Sequence, residues 1–146
     1  MVRSISVPAH LSLVTLGVAD LARSTAFYEA LGWQRSSASV TGNVTFFRLG
    51  SVVLSLYGAT ELADDARVQP ASSGEFRGVS LAIDLISTDE VDRVFAEFLA
   101  AGATSVKEPV PMYWGGYSAY GADLDGHLWE IAHNPHSPEW AAPHTE

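Results

Sequence analysis

The chain has 146 residues and a mass of 15.6 kDa, with 47% hydrophobic and 17% charged residues, enough for one domain to bury about 70% of its unfolded surface. Cysteine is absent, which excludes a disulfide framework, a thiolate metal site and a cysteine nucleophile. Eight Lys and Arg against seventeen Asp and Glu give a formal charge of -9, too acidic for neutralising a nucleic-acid backbone or an anionic membrane surface.

The first residues, Met1 to Ile5, lead into no long apolar run, so no secretory signal is expected and the cytoplasm is the expected location. Ser12 to Val18 reads as a strand with Val14, Leu16 and Val18 on its core face. Leu11, Leu13, Thr15 and Gly17 then face the other way, toward a cavity. Asp20 reads as the N-cap of a helix over Leu21 to Leu31, stopped by Gly32. Three β-type runs follow, at Trp33 to Ser39, Asn43 to Leu49 and Val52 to Tyr57, with turn signals at Gly42 and Gly50.

The plan then repeats. Gly78 to Leu85 reads as a strand, and Ser87 with Glu90 forms a capping box for a helix ended by Gly102. Strands near Thr104 to Glu108, Gly116 to Asp123 and His127 to Ala132 complete the second half. Laying Asp20 on Ser87 brings Val14, Leu16 and Val18 onto Leu81, Ile83 and Leu85. The expected organisation is a single domain over 1–146: module one at about 8–60, a linker at about 61–75, module two at about 76–135 and a tail at 136–146. The tail, with its prolines, is expected to lie loosely on the surface.

Two stretches resemble a known superfamily. One is Val14-Thr15-Leu16-Gly17-Val18-Ala19-Asp20-Leu21-Ala22-Arg23-Ser24 with Phe27-Tyr28 and Leu31-Gly32. The other is Tyr117-Ser118-Ala119-Tyr120-Gly121-Ala122-Asp123-Leu124-Asp125-Gly126-His127-Leu128-Trp129-Glu130, in which Leu124 stands where proline is usual. Together they resemble the opening and closing motifs of the vicinal oxygen chelate superfamily, which includes glyoxalase I, extradiol dioxygenases and the fosfomycin and bleomycin resistance proteins. The resemblance implies an α+β fold of two βαβββ modules forming paired half-barrels, commonly in a homodimer. In metal-dependent members, one position on each of four strands supplies a ligand. Those positions fall on Leu13, Ser55, Ser80 (or Val79, one residue away) and Glu130. Only Glu130 is a ligand for a divalent ion, so no metal or other cofactor is expected, a divalent metal being the alternative. The histidines His10, His127, His133, His136 and His144 read as surface or turn residues.

Without a metal, Glu130 is either held structurally or poised for chemistry, and Tyr120 matches a tyrosine that lines the site in ring-cleaving relatives. Tyr113, Trp114 and Tyr117 surround a glycine pair that opens the backbone near the expected cavity mouth. The expected ligand-binding set is Leu13, Thr15, Ser55, Tyr57, Ser80, Trp114, Tyr117, Tyr120 and Glu130. The leading expectation is metal-independent binding, or sequestration, of a small aromatic or cationic compound. The alternative is an enzyme of the same superfamily, a lyase, isomerase or dioxygenase, using Glu130 and Tyr120 as catalytic groups, with or without a divalent metal. A third is a partner domain with a closed cavity.

Overall fold

The computed structural model describes residues 6–72 and 74–143. The chain runs β1 (Leu13–Val18), α1 (Leu21–Ala30), β2 (Val44–Leu49), β3 (Val52–Gly58), α2 (Ala59–Ala66), β4 (Ser80–Asp84), α3 (Thr88–Ala101), β5 (Thr104–Pro111), β6 (Tyr117–Ala122) and β7 (Leu128–His133), then a short 3-10 turn, Pro138–Trp140. Among the described residues no helix is long and apolar enough to cross a membrane.

Two sheets result, with strand orders β1-β3-β2 and β4-β7-β6-β5. In each, the opening strand lies parallel to the closing one: β1 beside β3, β4 beside β7. The remaining pairs are antiparallel. A helix crossover is what such a parallel pair requires, and α1 and α3 supply it. Both helices begin as their sequences dictate. The Asp20 carboxylate accepts from the Arg23 amide at 3.0 Å, and the Ser87 hydroxyl accepts from the Glu90 amide at 3.1 Å. The architecture is the α+β pair of βαβββ modules that the repeat implies.

The first module departs from its twin in one element. The strand expected at Trp33 to Ser39 is reduced to isolated bridges, Arg35 with Phe47 and Val40 with Val44. Serine chemistry explains the loss. The Ser36 hydroxyl accepts from the Ala38 amide, the Ser39 amide donates to the Ser36 carbonyl, and the Ser39 hydroxyl takes the Phe46 amide. Local side-chain bonds of this kind compete with a ladder and leave a turn. Another difference lies at the start of the expected linker: residues 61–66 belong to α2, which ends at Arg67 in the left-handed region (φ 58°). The tail is tied down on its surface by the Ala142 amide donating to the Asp84 carbonyl at 2.7 Å. His144 lies outside the described residues.

One core serves both modules. Leu16 and Val18 of β1, Leu54 and Leu56 of β3, and Trp129 and Ile131 of β7 are buried with Phe27, Tyr28, Phe95 and Phe98 of the helices. At its centre stands an aromatic cluster: Tyr28 packs at 4.8 Å from Phe27, 5.6 Å from Trp33 and 6.0 Å from both Phe47 and Trp129. Rings of this size remove about 150–250 Å² each from water, about 4–6 kcal/mol apiece.

A buried polar bond runs through that cluster. The Tyr28 hydroxyl donates to Asp123 Oδ2 at 2.5 Å and accepts from Trp129 Nε1 at 3.0 Å. The other Asp123 oxygen accepts the Asp125 and His127 amides, both at 2.9 Å. Asp125 in turn accepts from the Ala19 amide at 2.8 Å, so the β6–β7 turn is fastened to the end of β1. Burial first, then the adjacent Asp123 carboxylate, pushes the Tyr28 phenol far above the ordinary tyrosine range.

Linkage gives the sign of the consequence. Above pH about 10 an unfolded tyrosine loses its proton while folded Tyr28 keeps it, so stability falls as pH rises, by up to about 1.4 kcal/mol per pH unit. Replacing Tyr28 by Phe strands the Asp123 oxygen and the Trp129 N–H, and is expected to cost about 2–4 kcal/mol at neutral pH. The same variant should show a shallower alkaline decline in denaturant midpoint than the parent, and an unchanged decline would refute the assignment.

Candidate functional site

Strand alternation gives each sheet a helix face and an open face. On the second sheet the open face is built from Ser80, Ala82 and Asp84 of β4, Leu128, Glu130 and Ala132 of β7, and Ser118 and Tyr120 of β6. The ladder aligns Ala82, Glu130, Tyr120 and Lys107 of β5 as one row across four strands. Glu130 cannot turn inward, because Trp129 and Ile131 on either side are locked into the core.

The polar groups on this face form a continuous chain. Lys107 Nζ donates to the Ser118 hydroxyl at 3.3 Å, and that hydroxyl donates to Glu130 Oε2 at 2.9 Å. The Lys107 ammonium also sits 5.2 Å from the centre of the Tyr120 ring. Tyr120 stands directly across the β6–β7 ladder from Glu130. Burial chiefly, then the Glu130 charge, raises its phenol, and Ser80 lowers it in part. Asp84 completes the group: burial and then the Glu130 charge push its carboxyl up, with His133 pulling the other way. Two carboxylates, one ammonium and one phenol thus share the face.

The open face of the first sheet is different in kind. Its rows are Leu13, Val53 and Arg48, then Thr15, Ser55 and Phe46, then Gly17, Tyr57 and Val44. Thus Leu13, Thr15, Ser55 and Tyr57 gather there, while Ser80, Tyr120 and Glu130 gather on the second sheet. Leu13 stays 46% exposed, a large apolar side chain left uncovered by its own chain.

Two of the residues expected at the site are elsewhere. Tyr117 is three positions from Tyr120 and so projects to the helix face, where its hydroxyl donates to Asp92 of α3 at 2.8 Å. Trp114 lies in the β5–β6 turn with its ring against Gly116, and its carbonyl accepts from His136 Nε2 at 3.0 Å. Asp84 and Lys107 are members that sequence reasoning missed. Asp84 shares parity with Ser80 and was within reach of the alternation argument. Lys107 was not, because β5 slips register on both sides of it.

A divalent metal at the four positions implied by the resemblance would meet an alkyl chain at Leu13, hydroxyls at Ser55 and Ser80, and one carboxylate at Glu130. Neutral hydroxyls and an alkyl group are not a set that holds such an ion. Among the described residues no three His, Asp or Glu side chains gather closely enough to hold a metal. Three of the four described histidine rings bond elsewhere: His127 to Gly17 and Arg77, His133 to the Leu85 carbonyl, and His136 to Trp114.

Comparison with known proteins agrees with this architecture. A glyoxalase-related enzyme from Fulvimarina pelagi is similar at 30% identity and a TM-score of 0.78, over 88% of this chain and 90% of that one. A glyoxalase/bleomycin resistance protein/dioxygenase family enzyme from Burkholderia phytofirmans PsJN shares 26% identity at a TM-score of 0.73, over 86% and 98%. The fosfomycin resistance protein FosX from Listeria monocytogenes shares 25% identity at a TM-score of 0.67, over 88% and 95%. No curated protein sequence matches the chain. The model of the Glyoxalase/Bleomycin resistance protein/Dioxygenase superfamily matches residues 10–131, and with both modules and both sheets in place the chain belongs to that superfamily.

Proposed function

We propose that the protein binds a small aromatic or cationic organic molecule on the open face of the second sheet, without a metal. The observation behind this reading is Glu130: a carboxylate anchored by Ser118, opposite Tyr120, flanked by Asp84, and facing away from the core. The two carboxylates match a cation and the Tyr120 ring offers a flat apolar surface beside them. Similarity to a fosfomycin resistance protein supports a small-molecule ligand. A second copy of the chain covers the face in this reading, since Leu13 on one sheet and Val110 on the other remain 46% and 38% exposed.

One observation favours a second reading, acid–base catalysis. Tyr120, a phenol raised by burial, lies opposite the Glu130 carboxylate on neighbouring strands, a donor and an acceptor side by side. On that reading the phenol donates to a developing anion of the substrate while Glu130 accepts a proton from carbon or oxygen.

Substitution separates the two. For sequestration, Glu130→Gln should weaken binding of aromatic ammonium compounds by roughly 3–10-fold in calorimetric titrations and leave neutral analogues unaffected. For catalysis, the same variant abolishes turnover and keeps binding. Cation affinity should fall as pH drops through the carboxylate range, starting earlier than for free aspartate because Asp84 is raised; a flat profile would sink the cationic assignment. Equilibration with Zn, Ni, Mn or Fe(II) followed by elemental analysis should leave less than about a tenth of an equivalent bound, whereas near one equivalent would overturn the metal-free reading.

A further inference from the structure

A cavity of about 510 Å³ opens at the seam between the modules; it takes Thr15, Gly17 and Leu128 from the open faces of the two sheets, but Glu130, Tyr120 and Asp84 do not line it. It lies between the edge strands β1 and β4, with α2 and residues 68–71 and 75–77 as its outer wall. Its floor is apolar, formed by Leu16, Leu62 and Leu81 among others. Three large apolar side chains on its rim have no cover of their own: Val68, Phe76 and Val79 are 59%, 68% and 62% exposed. Isolated exposed hydrophobics are ordinary, but three converging on one concavity mark a binding surface.

One cation stands on that rim. Arg77 donates to His127 Nδ1 at 2.8 Å, and His127 Nε2 bonds to the Gly17 carbonyl at 2.8 Å. A carbonyl only accepts and a guanidinium only donates, so Nε2 carries the ring proton and Nδ1 is the acceptor. His127 is therefore a neutral ring that braces the guanidinium against the end of β1. Arg77 forms no ion pair among the described residues, as is also true of Arg23, Arg48 and Arg67; what sets it apart is its place on the rim of this cavity. Its fork has N–H groups left for a bidentate partner. Glu75 shares the rim, so the local charge suits a ligand with one negative group and disfavours a dianion.

We propose that this seam cavity is a binding site for an amphipathic monocarboxylate, its apolar body inside and its carboxylate on Arg77. The volume is within the range of small-molecule pockets, and the apolar wall with one convergent polar anchor is their usual construction.

The test titrates decanoate, with decanol as the uncharged control, against the full chain by calorimetry, and repeats it by displacement of an anilinonaphthalene sulfonate probe. Saturable decanoate binding with one site per chain is expected. Arg77→Gln should weaken decanoate at least 10-fold and leave decanol unchanged, Arg77→Lys should restore part of the loss, and Glu75→Gln should tighten decanoate. Val79→Glu, at an exposed position that tolerates a charge, should abolish decanoate binding. Glu130→Gln should leave it unaltered. The proposal is overturned if decanoate does not saturate, if Arg77→Gln weakens decanol as much as decanoate, or if Glu130→Gln removes binding. Thermal unfolding of each variant shows that a loss of affinity is not a loss of fold.

Discussion

The bond from Tyr28 to Asp123 and Trp129 is the constraint on which the remaining structure depends. It joins α1 of the first module to the β6–β7 turn of the second, inside a core where unpaired polar groups are costly. Three of its consequences reach the surface. Trp129 is fixed inward, so Glu130 must face outward. The same turn holds Asp125 against Ala19 and His127 against Gly17, which ties the end of β1 to the second module. Gly17 and His127 both line the seam cavity. A single buried phenol thus positions the carboxylate of one candidate site and the cation of the other.

Charge placement carries the second half of the explanation. With seventeen acidic and eight basic residues, most carboxylates either face solvent or serve local bonds such as the Asp20 cap and the Glu29–Arg35 pair. Asp84 and Glu130 are exceptions, because they sit together on a half-buried face where mutual repulsion is felt. Lys107 offsets part of it through Ser118 without closing an ion pair, leaving a net negative face with a proton donor at its edge. Arg77 is the complementary case, a cation without a carboxylate partner beside an apolar hollow. The seam thus sets a cation beside exposed Phe76 and Val79 at one concavity.

Alternation and capping were readable from the sequence because each rests on a few residues with strong local preferences. Leu16 and Val18, Asp20 and Ser87, and Gly102 behave as their chemistry dictates, and Glu130 faces away from the core as its parity requires. The misses have equally local causes. Trp33 to Ser39 has strand-like composition, yet its serines bond their own backbone. Helix α2 has few apolar residues and polar neighbours that read as linker. Tyr117 and Tyr120 are both aromatic and three apart in a strand, so only one can reach the open face, and residue type gave no hint which. Lys107 depends on a register slip in β5 that no side chain announces. Fold signals are local and redundant, whereas site membership turns on single-residue parity.

The repeat itself shows how the two halves divided their work. Superposing the capped helices puts Leu13 on Ser80, Thr15 on Ala82 and Gly17 on Asp84, and the ladders then put Ser55 on Glu130 and Phe46 on Tyr120. Asp84, Glu130 and Tyr120 thus have Gly17, Ser55 and Phe46 as their uncharged counterparts in the first module. Gly17 has a specific reason to lack a side chain, since a Cβ there would lie 3.1 Å from the Ala59 Cα and push α2 off β1. The aspartate at the matching place in the second module faces no such helix and stays available. Carboxylates are therefore concentrated on one sheet, and the first sheet keeps a mixed wall of Leu13, Val53 and Phe46 with the hydroxyls of Thr15, Ser55 and Tyr57, and Arg48 at its edge. A ligand held between two such surfaces would be gripped by charge on one side and by shape on the other, which is why the face of a single chain looks half-built.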